Sequence, residues 1–94
     1  MDEEDDLFRL IGLTGTVLIL RYLDVHGPAR HKDLMELVNT HSLNERIRML
    51  LHFNLIEHHL EMGDGRKQKR REWYTITEKG RNVLMHMEKI AEML

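Results

Sequence analysis

Residues 42–52, Ser42-Leu43-Asn44-Glu45-Arg46-Ile47-Arg48-Met49-Leu50-Leu51-His52, carry the clearest local signal in this 94-residue sequence. Ser42 followed by Glu45 matches a capping box, in which the hydroxyl accepts from the amide three residues on and the glutamate reaches back. A helix is therefore expected to start at Ser42. Leu43, Ile47, Leu50 and Leu51 fall at i, i+4, i+7 and i+8, a single stripe that must face a core. Asn44, Glu45, Arg48, Met49 and His52 occupy the opposite face. Arg46 lies nearer the core side, where its stem can cover apolar surface while its head stays in water.

Working upstream, Asp33 suits the N-terminus of a short helix through Leu34, Met35, Leu37 and Val38, because an acid there complements the helix dipole. That helix ends at Asn39-Thr40, so a turn over Asn39 to His41 joins it to the next, the layout of a helix-turn-helix. Ala29 to His31 reads as an extended connector or short strand, since Pro28 has no backbone N–H. Before it, Val17, Leu18, Ile19, Leu20, Tyr22, Leu23 and Val25 make a helix that is apolar nearly all round, stops at Gly27-Pro28 and has Thr14 or Thr16 as its cap. Such a helix must be covered on most sides. Residues 5–12 fit a short helix behind Asp5 and Asp6. The acidic start at residues 2–6 reads as a solvated tail that also favours that helix terminus, or as a segment that competes with nucleic acid for basic groups elsewhere.

Downstream, Leu55 to Met62 alternates as a strand, with Ile56, His58, Leu60 and Met62 on the apolar face and Glu57, His59 and Glu61 on the other. Glu72-Trp73-Tyr74-Thr75-Ile76 is the returning strand of a hairpin. Between the strands, Arg66-Lys67-Gln68-Lys69-Arg70-Arg71 places five cations in six residues at the tip. Thr77 is a good cap for a last helix whose stripe of Val83, Met87, Ile90 and Leu94 is flanked by Leu84 and Ala91.

In that order the elements resemble the winged helix-turn-helix superfamily of transcriptional regulators. Leu50-Leu51-His52-Phe53-Asn54-Leu55-Ile56-Glu57 is similar to the family's passage from recognition helix to wing. Tyr74-Thr75-Ile76-Thr77-Glu78-Lys79-Gly80-Arg81 is similar to its Tyr-x-Leu-Thr-x-x-Gly-Arg phrase, where the second wing strand enters the last helix. The resemblance spans residues 14–82. Two departures are Lys32, where Ser or Thr often caps the second helix, and Asn54, where glycine is common. The fold expected is α+β and mostly helical, a winged helix-turn-helix with a two- or three-stranded wing sheet and extra terminal helices. It divides into an acidic segment with a short helix (1–13), a DNA-binding unit (14–82) and a C-terminal helix (77–94), through which small regulators of this kind often dimerise.

Residue types then suggest roles. A helix fits the major groove, about 12 Å wide, while a basic hairpin follows the backbone or enters the minor groove. The reading helix would offer His41, Ser42, Asn44, Glu45, Arg48, Met49 and His52. Asn44 suits adenine, Arg48 guanine or a phosphate, Met49 a thymine methyl, and Glu45 cytosine unless it serves only the capping box. Arg66, Lys67, Lys69, Arg70 and Arg71 suit phosphates. Leu7, Phe8, Ile11, Val83, Leu84, Met87, Ile90 and Leu94 form the apolar surplus expected at a homodimer interface, since a chain this small struggles to bury it alone.

Composition sets the limits. Lys plus Arg number 14 and Asp plus Glu 16, for a net charge of −2, but five acids lie in residues 2–6, leaving 14 basic against 11 acidic groups over residues 7–94. With 41% hydrophobic residues the chain has enough apolar content for one domain. The absence of cysteine excludes disulfides, thiol nucleophiles and Cys-ligated zinc. No membrane-length apolar run and no basic leader are present, so a soluble cytoplasmic protein, on the nucleoid when DNA-bound, is expected. The seven histidines His26, His31, His41, His52, His58, His59 and His86 show no ligand spacing, so neither metal nor cofactor is expected. With Ser42 as a cap and no nucleophile motif, no enzyme is expected either. The expected partners are double-stranded DNA and a second copy of the chain. A winged-helix protein-interaction module is the competing function, and non-specific chromatin architecture would suit a more basic chain.

Overall fold

A computed structural model of the chain describes residues 2–63 and 70–94. Among them run helices α1 (Glu3–Ile11), α2 (Thr14–His26), α3 (His31–Leu34) and α4 (Thr40–His52), strands β1 (Ile56–Glu61) and β2 (Arg71–Ile76), and helix α5 (Glu78–Glu92). The acidic start is not a free tail. Asp2 caps α1 by accepting from the Asp5 N–H at 2.9 Å, and Glu3, Glu4, Asp5 and Asp6 form the first turn, where the helix dipole stabilises them.

Neither Thr14 nor Thr16 caps α2. Leu13 holds that position without a side-chain bond, and the buried Thr16 hydroxyl donates instead to the Leu10 carbonyl at 2.6 Å. This satisfies a carbonyl at the end of α1 and fixes the corner between the two helices. As its composition demands, α2 is central and packs against α1, α4, α5 and β2. It ends at Gly27, whose φ of +82° is open to a residue without Cβ, and the Gly27 N–H closes on the Leu23 carbonyl.

The strands pair antiparallel from Ile56↔Ile76 to Glu61↔Arg71. The connector does not add a third strand. Ala29 makes one isolated bridge to Tyr74, with two backbone bonds of 3.0 and 2.8 Å. The expected apolar face of β1 is confined to its start: Ile56 is buried, whereas His58, Leu60 and Met62 are exposed because the hairpin projects beyond the helices.

The core joins Ile19, Leu20 and Leu23 of α2 to Leu34, to Leu43, Ile47 and Leu50 of α4, and to Leu55, Ile56, Ile76 and Leu84. Arg21–Glu88 (3.7 Å) and Arg81–Asp24 (3.2 Å) flank the contact between α2 and α5. Gly80 lies so close to the turn after α4 that a Cβ there would overlap the Leu55 carbonyl oxygen and press on Ile76. Since the obstacle is backbone, Gly80→Ala is expected to cost about 2 kcal/mol, or roughly 8–16 °C in melting temperature, measurable by thermal denaturation.

Candidate nucleic-acid interface

Helix α4 starts two residues before the expected cap. Asn39 is the N-cap, its carboxamide accepting from the Ser42 N–H at 3.1 Å, so Ser42 sits in the first turn as the residue that is capped. Glu45 consequently does not reach back to a cap. It pairs with Arg48 one turn on, both side chains being largely exposed. The two-residue shift leaves the stripe in place, since burial of Leu43, Ile47 and Leu50 fixes the rotation of the helix.

His41, Asn44, Glu45, Arg48 and His52 are exposed on the outer face, with Ser42 half-buried at its side. Met49 departs from the expectation, being half-buried and packed against the core. Two neighbours that the sequence did not single out hold this face. The His31 Nε2–H of α3 donates to Asn44 Oδ1 at 2.8 Å, which leaves the Asn44 amide hydrogens for another acceptor. At the far end His52 Nε2 lies 3.0 Å from Glu3 Oε1, so the acidic turn of α1 adjoins the end of α4. Arg46 does not keep its head in water. It is half-buried and turned onto α2, while sharing an open concavity with His41, Ser42, Asn44, Glu45 and Arg48.

Of the hairpin cations, Arg66, Lys67 and Lys69 lie outside the described residues. Arg70 and Arg71 are exposed at the start of the returning strand, and Arg70 lies 3.5 Å from Glu72. Glu72 also holds His58 at 2.6 Å, and His58 lies against the Tyr74 ring. Burial, and then the Glu72 carboxylate, push the Tyr74 phenol above its ordinary value of 10.0. On the other face the His59 ring stacks on Trp73 with 11° between the planes and bonds Thr75 Oγ1 at 2.8 Å. These contacts brace β1 against β2, and Glu57, Glu61 and Glu72 give the paired strands acidic character.

The apolar terminal residues divide. Leu84 is only 2% exposed and belongs to the chain's own core, which removes it from any interface. Leu7, Ile11, Val83 and Met87 are half-buried. Phe8 at 61%, Ile90 at 63% and Leu94 are open to solvent, as are Met85 and Met93, which lie off the stripe that the periodicity marks. Among the described residues no three His, Asp or Glu side chains converge as metal ligands, and no helix is long and apolar enough to cross a membrane.

Solved structures share this arrangement over nearly the whole chain. YodB of B. subtilis, a transcriptional regulator, superimposes in its diamide-treated form with a TM-score of 0.77 at 24% identity, covering 98% of this chain and 90% of YodB. The fold is a winged helix-turn-helix. The ytfH protein of Salmonella typhimurium, described as a transcriptional regulator, gives 0.75 at 17% identity over 97% of this chain and 80% of its own. A protein of Enterococcus faecalis V583 assigned to the MarR family of transcriptional regulators gives 0.74 at 16% identity over 99% and 86%. No protein-family model and no curated protein matches the sequence. In winged-helix terms α3 and α4 are the helix-turn-helix and β1–β2 the wing.

The position of the cap is open to direct measurement. Asn39→Ala is expected to cost about 1 kcal/mol, whereas Ser42→Ala stays within about 0.5 kcal/mol of the parent in denaturant titration. The reverse order would return the start of the helix to Ser42.

Proposed function

We propose that this protein is a sequence-specific, double-stranded DNA-binding transcriptional regulator that acts as a homodimer. The observation that carries the reading is the pairing of two elements on one fold: an outward α4 face bearing Asn44 and Arg48, and an antiparallel strand pair, β1–β2, joined by a stretch of sequence that holds five of the chain's 14 Lys and Arg within residues 66–71. A helix with an amide and a guanidinium on its free side suits base edges in the major groove, while clustered cations suit phosphates. His41, Ser42, Asn44, Arg48 and His52 would face the groove, with Glu45 restraining Arg48. Arg66, Lys67, Lys69, Arg70 and Arg71 would follow the backbone. No chemistry on a substrate belongs to this reading, and its place is the cytoplasm, at the nucleoid. The fold shared with solved transcriptional regulators supports it.

Dimerisation would use the solvent-facing apolar residues of the terminal helices: Phe8 with Leu7 and Ile11, and Ile90 and Leu94 with Val83 and Met87. A two-fold pair would present two α4 helices to half-sites about one helical turn apart. Residues 14–82 would then be the reading unit and 77–94 the dimerisation helix.

Fluorescence anisotropy across a salt series tests the DNA reading. Duplex binding should be salt-sensitive, and replacing Arg66, Lys67, Lys69 and Arg71 by Gln should lower the log–log slope by roughly 0.9 for each phosphate that no longer meets a cation. Arg48→Ala should cost about tenfold on a selected site and less on a random duplex. Failure of the parent to bind any duplex at low salt would favour a protein-interaction module. Sedimentation at micromolar concentration is expected to give twice the chain mass, and Ile90→Glu to return it to one.

A further inference from the structure

Of the two arginines on α4, the DNA reading leaves Arg46 unused. It lies on α4 between the buried stripe and the outer face, and its side chain folds back against the first turn of α2. The space it occupies exists because residue 15 is glycine: a Cβ there would overlap Arg46 Nη1 and lie 3.1 Å from Cζ. Gly15 is itself buried, and Val38 Cγ2 closes the same space at 3.0 Å, so the Cβ would have no second place to go.

This resting place suits a guanidinium poorly. Arg46 Nε is buried and, among the described residues, has no hydrogen-bond partner. A buried donor left unpaired costs more than the same donor in water. The neighbouring backbone is the start of α2, whose unpaired amides carry the positive end of the helix dipole and whose N-cap supplies no side-chain acceptor. A cation is repelled there. Yet Arg46 lines the same concavity as His41, Ser42, Asn44, Glu45 and Arg48, so rotation about its own flexible stem brings the head to the face that would meet DNA.

We propose that Arg46 is a DNA-phosphate ligand held in reserve: folded over Gly15 in the free protein, it turns outward onto a backbone phosphate when the duplex docks on α4. This rests on the DNA reading above. Phosphate rather than base is the target because Arg46 stands on the flank of α4 beside α2, off the outward face that carries Asn44 and Arg48, and the flank of a helix lying in a groove meets the backbone rather than the base edges. A phosphate supplies what the folded-back position lacks, a charged acceptor for Nε and both terminal nitrogens. The exchange also makes the free protein tolerate a poor contact that DNA relieves.

The test uses the full chain, a selected duplex, anisotropy across a salt series, and a thermal melt of each variant. Arg46→Met keeps the apolar stem and removes the charge, so its melting temperature should equal or exceed the parent's. Its affinity should fall about tenfold, with the log–log salt slope reduced by about 0.9. Arg46→Lys should retain the parent slope, since it keeps a flexible cation. Gly15→Ala should evict the head and bind DNA at least as tightly as the parent with the slope intact. A parent slope in Arg46→Met, with folding confirmed by its melt, overturns the proposal while leaving DNA binding itself standing. Should Arg46→Met fail to fold, a slope reduced by about 0.9 in Arg46→Gln supports the proposal and the parent slope overturns it. Absence of binding by the parent removes the underlying reading instead.

Discussion

Asn54 and Leu55 form the point at which the reading helix, both wing strands and the last helix are joined. Asn54 takes a φ of +60°, and the Leu55 N–H then closes on the Leu50 carbonyl, which ends α4 in half a turn. The Leu55 carbonyl accepts from the Thr77 N–H, and the Thr77 hydroxyl donates to the Asn54 carbonyl at 2.7 Å while accepting from Gly80. Four elements thereby meet at two residues, through two backbone bonds and the Thr77 hydroxyl. The angle between the helix that would read DNA and the hairpin that would hold it follows from this junction. So does the need for a small residue at position 80.

This also explains why asparagine can stand at position 54. A left-handed residue is required to end the helix at this point, and asparagine is the side chain that accepts such a backbone at least cost. α3 lacks a hydroxyl cap, but the Asp33 carboxylate accepts from the Arg30 N–H at 2.9 Å and closes the turn from the other side.

How far the sequence could be read followed the range of the interactions concerned. Periods of burial belong to one element at a time, so the stripe of α4, the two strands of the hairpin and the Thr77 cap were legible from spacing alone. Ser42 and Asn39 illustrate the failure at short range: both are good caps three residues apart, and the buried stripe of Leu43, Ile47 and Leu50 is the same with either. Interactions across long separations left no local mark. Glu3 with His52, His31 with Asn44, and Arg46 over Gly15 each join residues from different helices, so the side that each polar group faces could not be read from its own helix. Leu84 was misplaced for the same reason, since a wide apolar stripe does not say which half the chain keeps for itself.

The single bridge at Ala29 has a bearing on how copies of this protein meet. A two-stranded ribbon has two open flanks, each a template on which strands from another molecule can add. Here the flank of β2 is occupied at Tyr74 by a residue whose neighbour, Pro28, has no amide to offer an incoming strand. Glu57, Glu61, Arg71 and Glu72 place charged side chains along the rest of the ribbon. Edge-to-edge growth of sheets is thereby discouraged.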